Sequence, residues 1–462
     1  MKSTSYASLA QVVGIEFISD QPEELFLYSR DLGSGKPGQM DYLVMPANTE
    51  EVRQVLNIAN KHKIPVTTMG AGLNLSGLTI PNRGGIVLDM KRMDSIIEVN
   101  EDSPYVVVEP GVTLGNLLGY LKTNHPALRF SVPDAPPTAT VTANAIFNGS
   151  GNLSRYGVHP EMINGLEVVL PNGEICRTGS CAVSDYWFSK SPLPDLTGLF
   201  INWYGTTGVV TRLSLKLYPR HRMRDMLCFG LPDNHVMPYA IKRLAETELT
   251  EDIIILIYRM PGRELLTNLL VVYITADTQS EFDLKVALFK EILHRTKSKG
   301  KDIVNFPREM FPPKFYENFL SEPKYEMGIA DVKKGGGFEY MGVNFPLELI
   351  PEAYQKGCKI AENYDFDAPT FTIRNIGIGH SVIFTFMYPF NRSDETSLDN
   401  CRQALIATNR MALDLGGVPW KPSIKEQQML LQGMEPGTKT LMAKVKKMMD
   451  PNGIMNPGHW DI

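Results

Sequence analysis

The sequence predicts an α+β protein of two domains, the first interrupted by the second. Three observations lead there. A chain of 462 residues with 43% hydrophobic side chains exceeds what one core usually organises. Its first half runs through one helix-to-strand unit and then a quick succession of short β-rich stretches, which is not a regular βαβ repeat. After Pro219-Arg220-His221 the texture changes to long strands and longer amphipathic helices, and the final stretch is compact and turn-rich.

Taken in order, Asn48-Thr49-Glu50-Glu51 is a capping-box pattern followed by Val52, Val55, Leu56 and Ala59 at helical spacing, so a helix is expected over about 49–62. Positive charge at Lys61-His62-Lys63 suits its C-terminus. The β-branched Ile64-Pro65-Val66-Thr67-Thr68 then reads as a strand ending at a glycine cluster. Further strands are expected at about 86–88, 96–99, 105–109, 163–170 and 208–217, with a helix from Thr113 to Leu121 and a hairpin signal at Pro171-Asn172-Gly173. In the second region, 253–257 and 269–273 read as strands, and Glu281 to His294 and Asp399 to Leu415 as helices. The expected division is 1–221 with 406–462 as the first domain and 222–405 as the insertion.

Composition narrows the function. With 46 basic against 51 acidic side chains and a net charge of -5, there is no broad electrostatic footprint for nucleic acid, and a small-molecule ligand is the expectation. The N-terminus lacks a signal-peptide pattern, and the most apolar runs fall far short of the roughly 20 residues a membrane helix needs. Five cysteines, an odd number with no CxxC pair, argue against a disulfide framework or an iron–sulfur site. Cys176 and Cys181 lack metal-binding partners nearby, so no metal is expected, and a cytoplasmic location follows.

The residues that carry chemistry begin at Met69-Gly70-Ala71-Gly72-Leu73-Asn74-Leu75-Ser76-Gly77, where glycines free the backbone for positive φ and close approach to a phosphate. The run lacks GxGxxG spacing and is not a Rossmann fingerprint. By itself it reads equally well as a plain turn. Its neighbours carry more: "IVLDMKRMDSIIEVN", "YVVVEPGVTLGNLLGYL", "VPDAPPTATVTANAIFNGSGNLSRYG", "LEVVLPNGEICRTG" and "LFINWYGTTGVVTRLSLKLYPR" follow in order. Together, over about 38–220, they resemble the FAD-binding domain of the vanillyl-alcohol-oxidase and p-cresol-methylhydroxylase (PCMH-type) superfamily. The tail "MMDPNGIMNPG", 448–458, resembles that family's C-terminal signature, which packs back onto the FAD domain.

The resemblance implies a two-domain PCMH-type fold with a substrate-binding cap inserted in the middle. It assigns FAD contacts to Met69, Gly70, Ala71, Gly72, Leu73 and Asn74 at the pyrophosphate, and to Pro133, Asp134, Thr138, Thr142, Asn144, Asn148 and Gly149 along the flavin. Gly208, Val209 and Asn456 complete its set. Many relatives tether FAD through a histidine in the glycine loop; here Leu73 and Asn74 follow Gly72 and no histidine lies between 63 and 124, so non-covalent FAD is expected.

Four residues are candidates for the reaction. Asp134 in Val132-Pro133-Asp134 matches an aspartate near the flavin's reactive nitrogen in the branch that oxidises para-substituted phenols; the plainer reading is a turn-capping Asp. His380, in "RNIGIGHSVIFTFMYPFNRSDET", falls where relatives carry a histidine near the substrate, either as a general base or as an ordinary structural histidine. Lys421, in Trp420-Lys421, stands where the phenol-oxidising branch has Tyr-Arg; a lysine neutralises an anion but cannot grip it bidentately, and a solvated loop lysine is the alternative. In the competing 2-hydroxy-acid dehydrogenase reading, Lys421 or Arg374 binds the carboxylate. The metal-ligating histidine patterns of that branch are absent. Hydride abstraction from a benzylic or alcohol carbon is the leading function, with the hydroxy-acid dehydrogenase and a non-catalytic flavin-binding subunit as alternatives. An external electron acceptor, in part of the family a protein, is implied, as is assembly as a homodimer or as a subunit of a complex.

Overall fold

The computed structural model describes residues 2–259, 266–298, 301–322, 336–366 and 370–462. The helix Thr49–His62 forms where expected, capped by Asn48 accepting from the Glu51 amide, and it buries Val52, Val55, Leu56 and Ala59. Each large aliphatic side chain so buried contributes roughly 1.5–3 kcal/mol. The helix carries the chain into Val66–Met69, which pairs in parallel with Ile86–Asp89 in a four-stranded sheet. A second sheet of five strands is antiparallel throughout, with Val209–Lys216 at its centre between Tyr105–Val108 and Ile163–Val169. The C-terminal tail returns to this half: Met455 bridges Val66, and the Val66 amide donates to the Ile454 carbonyl at 2.8 Å.

The inserted domain is an eight-stranded antiparallel sheet that begins with Met223–Leu231. Strand periodicity sorts its residues between two faces. Ile253, Ile255, Val272, Ile373, Val343 and Phe384 point to a core shared with the helices Met237–Ala245, Gln279–Arg295, Ile350–Asn363 and Glu395–Asp414. Residues of the opposite parity, among them Asp252, Ile254, Tyr273, Tyr340 and Arg374, face the other way, toward the helix Pro313–Leu320 and the FAD-type half.

The second boundary lies later than the sequence suggests. Helix Glu395–Asp414 runs unbroken through 405 and 406, and its Met411 and Ala412 lie in the inserted domain's core. Val418–Pro419 still pairs with Gly336–Phe345, so the chain leaves this domain only at about Trp420. An amphipathic helix carries no mark, on its own, of which domain its apolar face meets. Among the described residues no helix is long and apolar enough to cross a membrane.

Candidate functional site

The glycine loop leaves strand Val66–Met69 and turns with Gly72 at φ 69° and Gly77 at φ 69°, a region that disfavours any side chain. A Cβ on Gly70 would lie 2.6 Å from the Thr140 hydroxyl, so the loop backbone is pressed against the start of the helix Val141–Ile146. The hydroxyls of Thr68, Thr140 and Thr142 are buried with no hydrogen-bond partner among the described residues. An unpaired buried hydroxyl costs about 1–3 kcal/mol. Three of them, beside a loop that admits close backbone approach, fit a bound polar group such as a pyrophosphate.

The stretch after Val132 forms the next wall. Val132 and Pro133 are buried, whereas the Asp134 side chain is 43% exposed to a narrow interdomain cleft; Thr138 is exposed. Asn144 Oδ1 lies 2.5 Å from His159 Nδ1, and a Cβ on Gly149 would collide with Asn144. Asn148, at φ 56°, turns its carbonyl to accept from Trp420 Nε1 at 2.5 Å. The inserted domain's exit strand is thereby pinned to the first domain beside Lys421.

Several of the residues assigned to the cofactor have structural work of their own. Asn456 donates from its side-chain amide to the carbonyls of Leu78 and Tyr204, bracing the far end of the glycine loop. Val209 is buried in the core and paired with Val169, and a Cβ on Gly208 would lie 2.9 Å from Val168, so strand packing accounts for that glycine. Met69 packs with Leu43 and Val87, and its sulfur would lie 3.3 Å from a Cβ on Gly72. Ala71, Leu73 and Asn74 are half-buried in the loop, where the Asn74 side chain accepts from the Ser76 amide.

Arg374 joins the two domains. Its Nη2 donates to Asp134 at 2.9 Å, and its Nε donates to Asp252 at 3.1 Å. Burial opposes the Arg374 charge, but Asp134 and Asp252 outweigh it and raise its pKa. Asp252 also accepts from Ser154 Oγ of the first domain at 2.6 Å. Around this core run further ion pairs, Arg129 and Arg224 to Glu251 at 2.9 and 2.6 Å, with Arg224 and Arg220 near Glu322.

Lys421 follows the inserted domain's exit strand, next to the Trp420 that is held by Asn148. Its ammonium sits 4.4 Å from the Trp420 ring centroid, and burial, uncompensated by any anion among the described residues, lowers its pKa to about 8. His159 is pushed down to about 3 by burial and by the positive charges of Lys421 and Arg374. Its imidazole is therefore neutral at ordinary pH. The Tyr340 hydroxyl is raised by burial and by Asp134, while Arg374 opposes the shift. Tyr340 thus feels the charge of Asp134 in the cleft, and His159 feels those of Lys421 and Arg374.

His380 is not brought there. It is exposed on the turn between Thr370–Ile376 and Ser381–Asn391, folded back over its own Gly377, and absent from the lining of the Asp134 cleft. Two positive-φ glycines, Gly377 and Gly379, close the hairpin before the strand reaches His380. Sequence reading missed Asp252, Ser154 and His159; only strand parity could have flagged Asp252. A roomier cleft of about 550 Å³ opens elsewhere, around Glu167, Arg177 and Arg212, where Glu167 already pairs with both arginines.

Comparison with known proteins assigns the family. Residues 40–179 match the family described as FAD binding domain, and residues 329–460 match FAD linked oxidases, C-terminal domain. The chain carries both of these domains. Its glycine loop and unpaired threonine hydroxyls thus fit the cofactor of this family, FAD. The chain is 34% identical over 222 residues to glycolate oxidase subunit GlcD of Bacillus subtilis (strain 168), covering 47% of this chain and 46% of that one. It is 37% identical over 185 residues to the 4-cresol dehydrogenase [hydroxylating] flavoprotein subunit of Pseudomonas putida, covering 38% and 34%. These matches span about half or less of the relatives' length. Among solved structures, p-cresol methylhydroxylase with substrate bound superposes with a TM-score of 0.88 at 19% identity, covering 100% of this chain and 96% of that one, a likeness of fold. Among the described residues, no cluster of three or more His, Cys, Asp or Glu is arranged to hold a metal ion.

Proposed function

We propose that this FAD-linked oxidase removes a hydride from a benzylic or alcohol carbon of a small substrate, such as a para-substituted phenol, held in the cleft between its domains. The observation that carries this reading is the Asp134 carboxylate, held by Arg374 at the interdomain cleft, with the buried Lys421 ammonium left without an anion among the described residues. Bound FAD supplies the two-electron acceptor, held by the glycine loop, with Thr68, Thr140 and Thr142 as hydroxyl donors. Lys421 would neutralise a phenolate or other anionic end of the substrate, with the Trp420 ring beside it as an apolar wall. Asp134, on the opposite side, would accept a proton from the substrate or hold its polar group.

The 2-hydroxy-acid reading retains the relation to glycolate oxidase subunit GlcD. It loses Arg374 as the carboxylate clamp, because that guanidinium is already committed to Asp252 and Asp134. Anaerobic mixing with p-cresol and with glycolate separates the two. Bleaching of the flavin by p-cresol supports the phenol reading, bleaching by glycolate alone supports the hydroxy acid, and bleaching by neither across a wider panel of phenols, alcohols and hydroxy acids points to a non-catalytic flavin subunit. We further propose that FAD is non-covalent and is released to the supernatant on acid precipitation, that electrons pass to an external acceptor, and that the protein works in the cytoplasm as a homodimer or a subunit of a complex.

A further inference from the structure

Asp252 has no place in the reaction proposed above, yet it is the most enclosed charge beside the cleft. Its side chain is 0% exposed. It accepts two hydrogen bonds from two domains, from Ser154 Oγ at 2.6 Å and Arg374 Nε at 3.1 Å, and Arg374 Nη2 stands 3.0 Å away as its ion pair. The geometry follows from strand register. Ile254 is the cross-strand partner of Arg374, so Asp252, two residues earlier on the same face, is its diagonal neighbour, within reach of a long side chain. Ser154 is itself held, since its carbonyl accepts from the Gly377 amide at 2.8 Å.

A free arginine side chain samples many rotamers, and ordering it carries an entropic cost. Here that ordering is already complete. With Nε and one edge of Nη2 turned toward Asp252, the remaining donor direction of Nη2 lies on Asp134 at 2.9 Å. We propose that Asp252 is a positioning residue, which orients the Arg374 guanidinium and through it sets where the Asp134 carboxylate stands in the cleft. This rests on the reading that Asp134 serves the substrate. It adds that the first domain takes part at both ends of the chain, through Ser154 behind Asp252 and through Asp134 itself, so that the array is complete only when the two domains are docked.

The test uses the flavin-loaded protein and two readouts. In a crystal structure of the Asp252→Asn variant, the side chain keeps a single acceptor oxygen and no charge to hold the guanidinium, and the Arg374 to Asp134 contact should open beyond hydrogen-bond length; a contact kept near its original distance would overturn the inference. In anaerobic flavin reduction by whichever of p-cresol and glycolate bleaches the wild type, Asp252→Asn should lower the limiting rate about tenfold with flavin content unchanged. Because it acts through Asp134, the double variant with Asp134→Asn should be no slower than Asp134→Asn alone. Multiplying losses would mean that Asp252 serves stability only, and would also overturn the proposal. Should Asp252→Asn not fold, Ser154→Ala removes one donor without stranding a charge, and is expected to slow reduction severalfold with the same non-additivity. An Asp134→Asn variant that reduces at the wild-type rate, with the crystallographic contact still lost on Asp252→Asn, would instead sink the reading of Asp134 and leave the positioning intact.

Discussion

Arg374 reaches Asp134 across the domain boundary, Nη2 to Oδ2 at 2.9 Å, although 240 positions separate the two residues. The same guanidinium holds Asp252, whose side chain is fully enclosed. The pair is therefore both a fastening between domains and a wall of the cleft, and its removal should be felt in both roles.

Arg374→Met leaves Asp252 buried without its cation, a loss of about 3–5 kcal/mol for a broken buried pair. Thermal unfolding should shift down by on the order of 10 °C. Arg374→Lys should recover only part of this, since an ammonium cannot span both carboxylates in the way a planar fork does. An unshifted midpoint for Arg374→Met would show that the ion pair contributes nothing net.

Gly72 sits at φ 69°, so Gly72→Val adds left-handed strain of about 1–2 kcal/mol and places a branched side chain in the cofactor loop. The expected product is folded protein without flavin. Circular dichroism with absorbance near 450 nm, a generic flavin band, reads both; full flavin content would mean that this loop does not hold the pyrophosphate.

Lys421→Met should weaken an anionic substrate analogue by about 1.5–3 kcal/mol, the range for a hydrogen bond to a charged group, while a matched neutral analogue is little affected. Burial lowers the Lys421 pKa to about 8. The ammonium is present below that value and lost as pH rises through it, so in the unaltered protein the anion's dissociation constant should climb above about pH 8 and that of the neutral analogue should stay flat. Parallel behaviour of the two analogues would remove Lys421 from the binding site.

His380→Ala should change the limiting rate of flavin reduction by less than about twofold, because the side chain is exposed on its turn away from the cleft. A general base in that position would cost about 10²-fold or more. Stopped-flow reduction distinguishes these outcomes directly.

What could be read from the chain alone was whatever short windows encode. Asn48 and Glu51 cap a helix through contacts three residues apart, and the glycines at 72 and 77 mark backbone that only glycine tolerates, so that helix and the turning glycine loop were legible without a structure. Ordered motifs across the first half were enough to name the fold. The site itself was not local. Asp252 and Arg374 lie 122 positions apart and meet by strand register, Trp420 and Asn148 meet only on docking, and His380 was turned outward by the two glycines that close its hairpin. Helix Glu395–Asp414 likewise gave no sign of its domain, because an apolar stripe specifies that it must be covered and not by what. Backbone preference and periodicity are properties of neighbours in sequence; the Asp134, Arg374 and Asp252 ion pairs of the cleft come from neighbours in space, and those were decided when the sheet set its register and the two domains closed on each other.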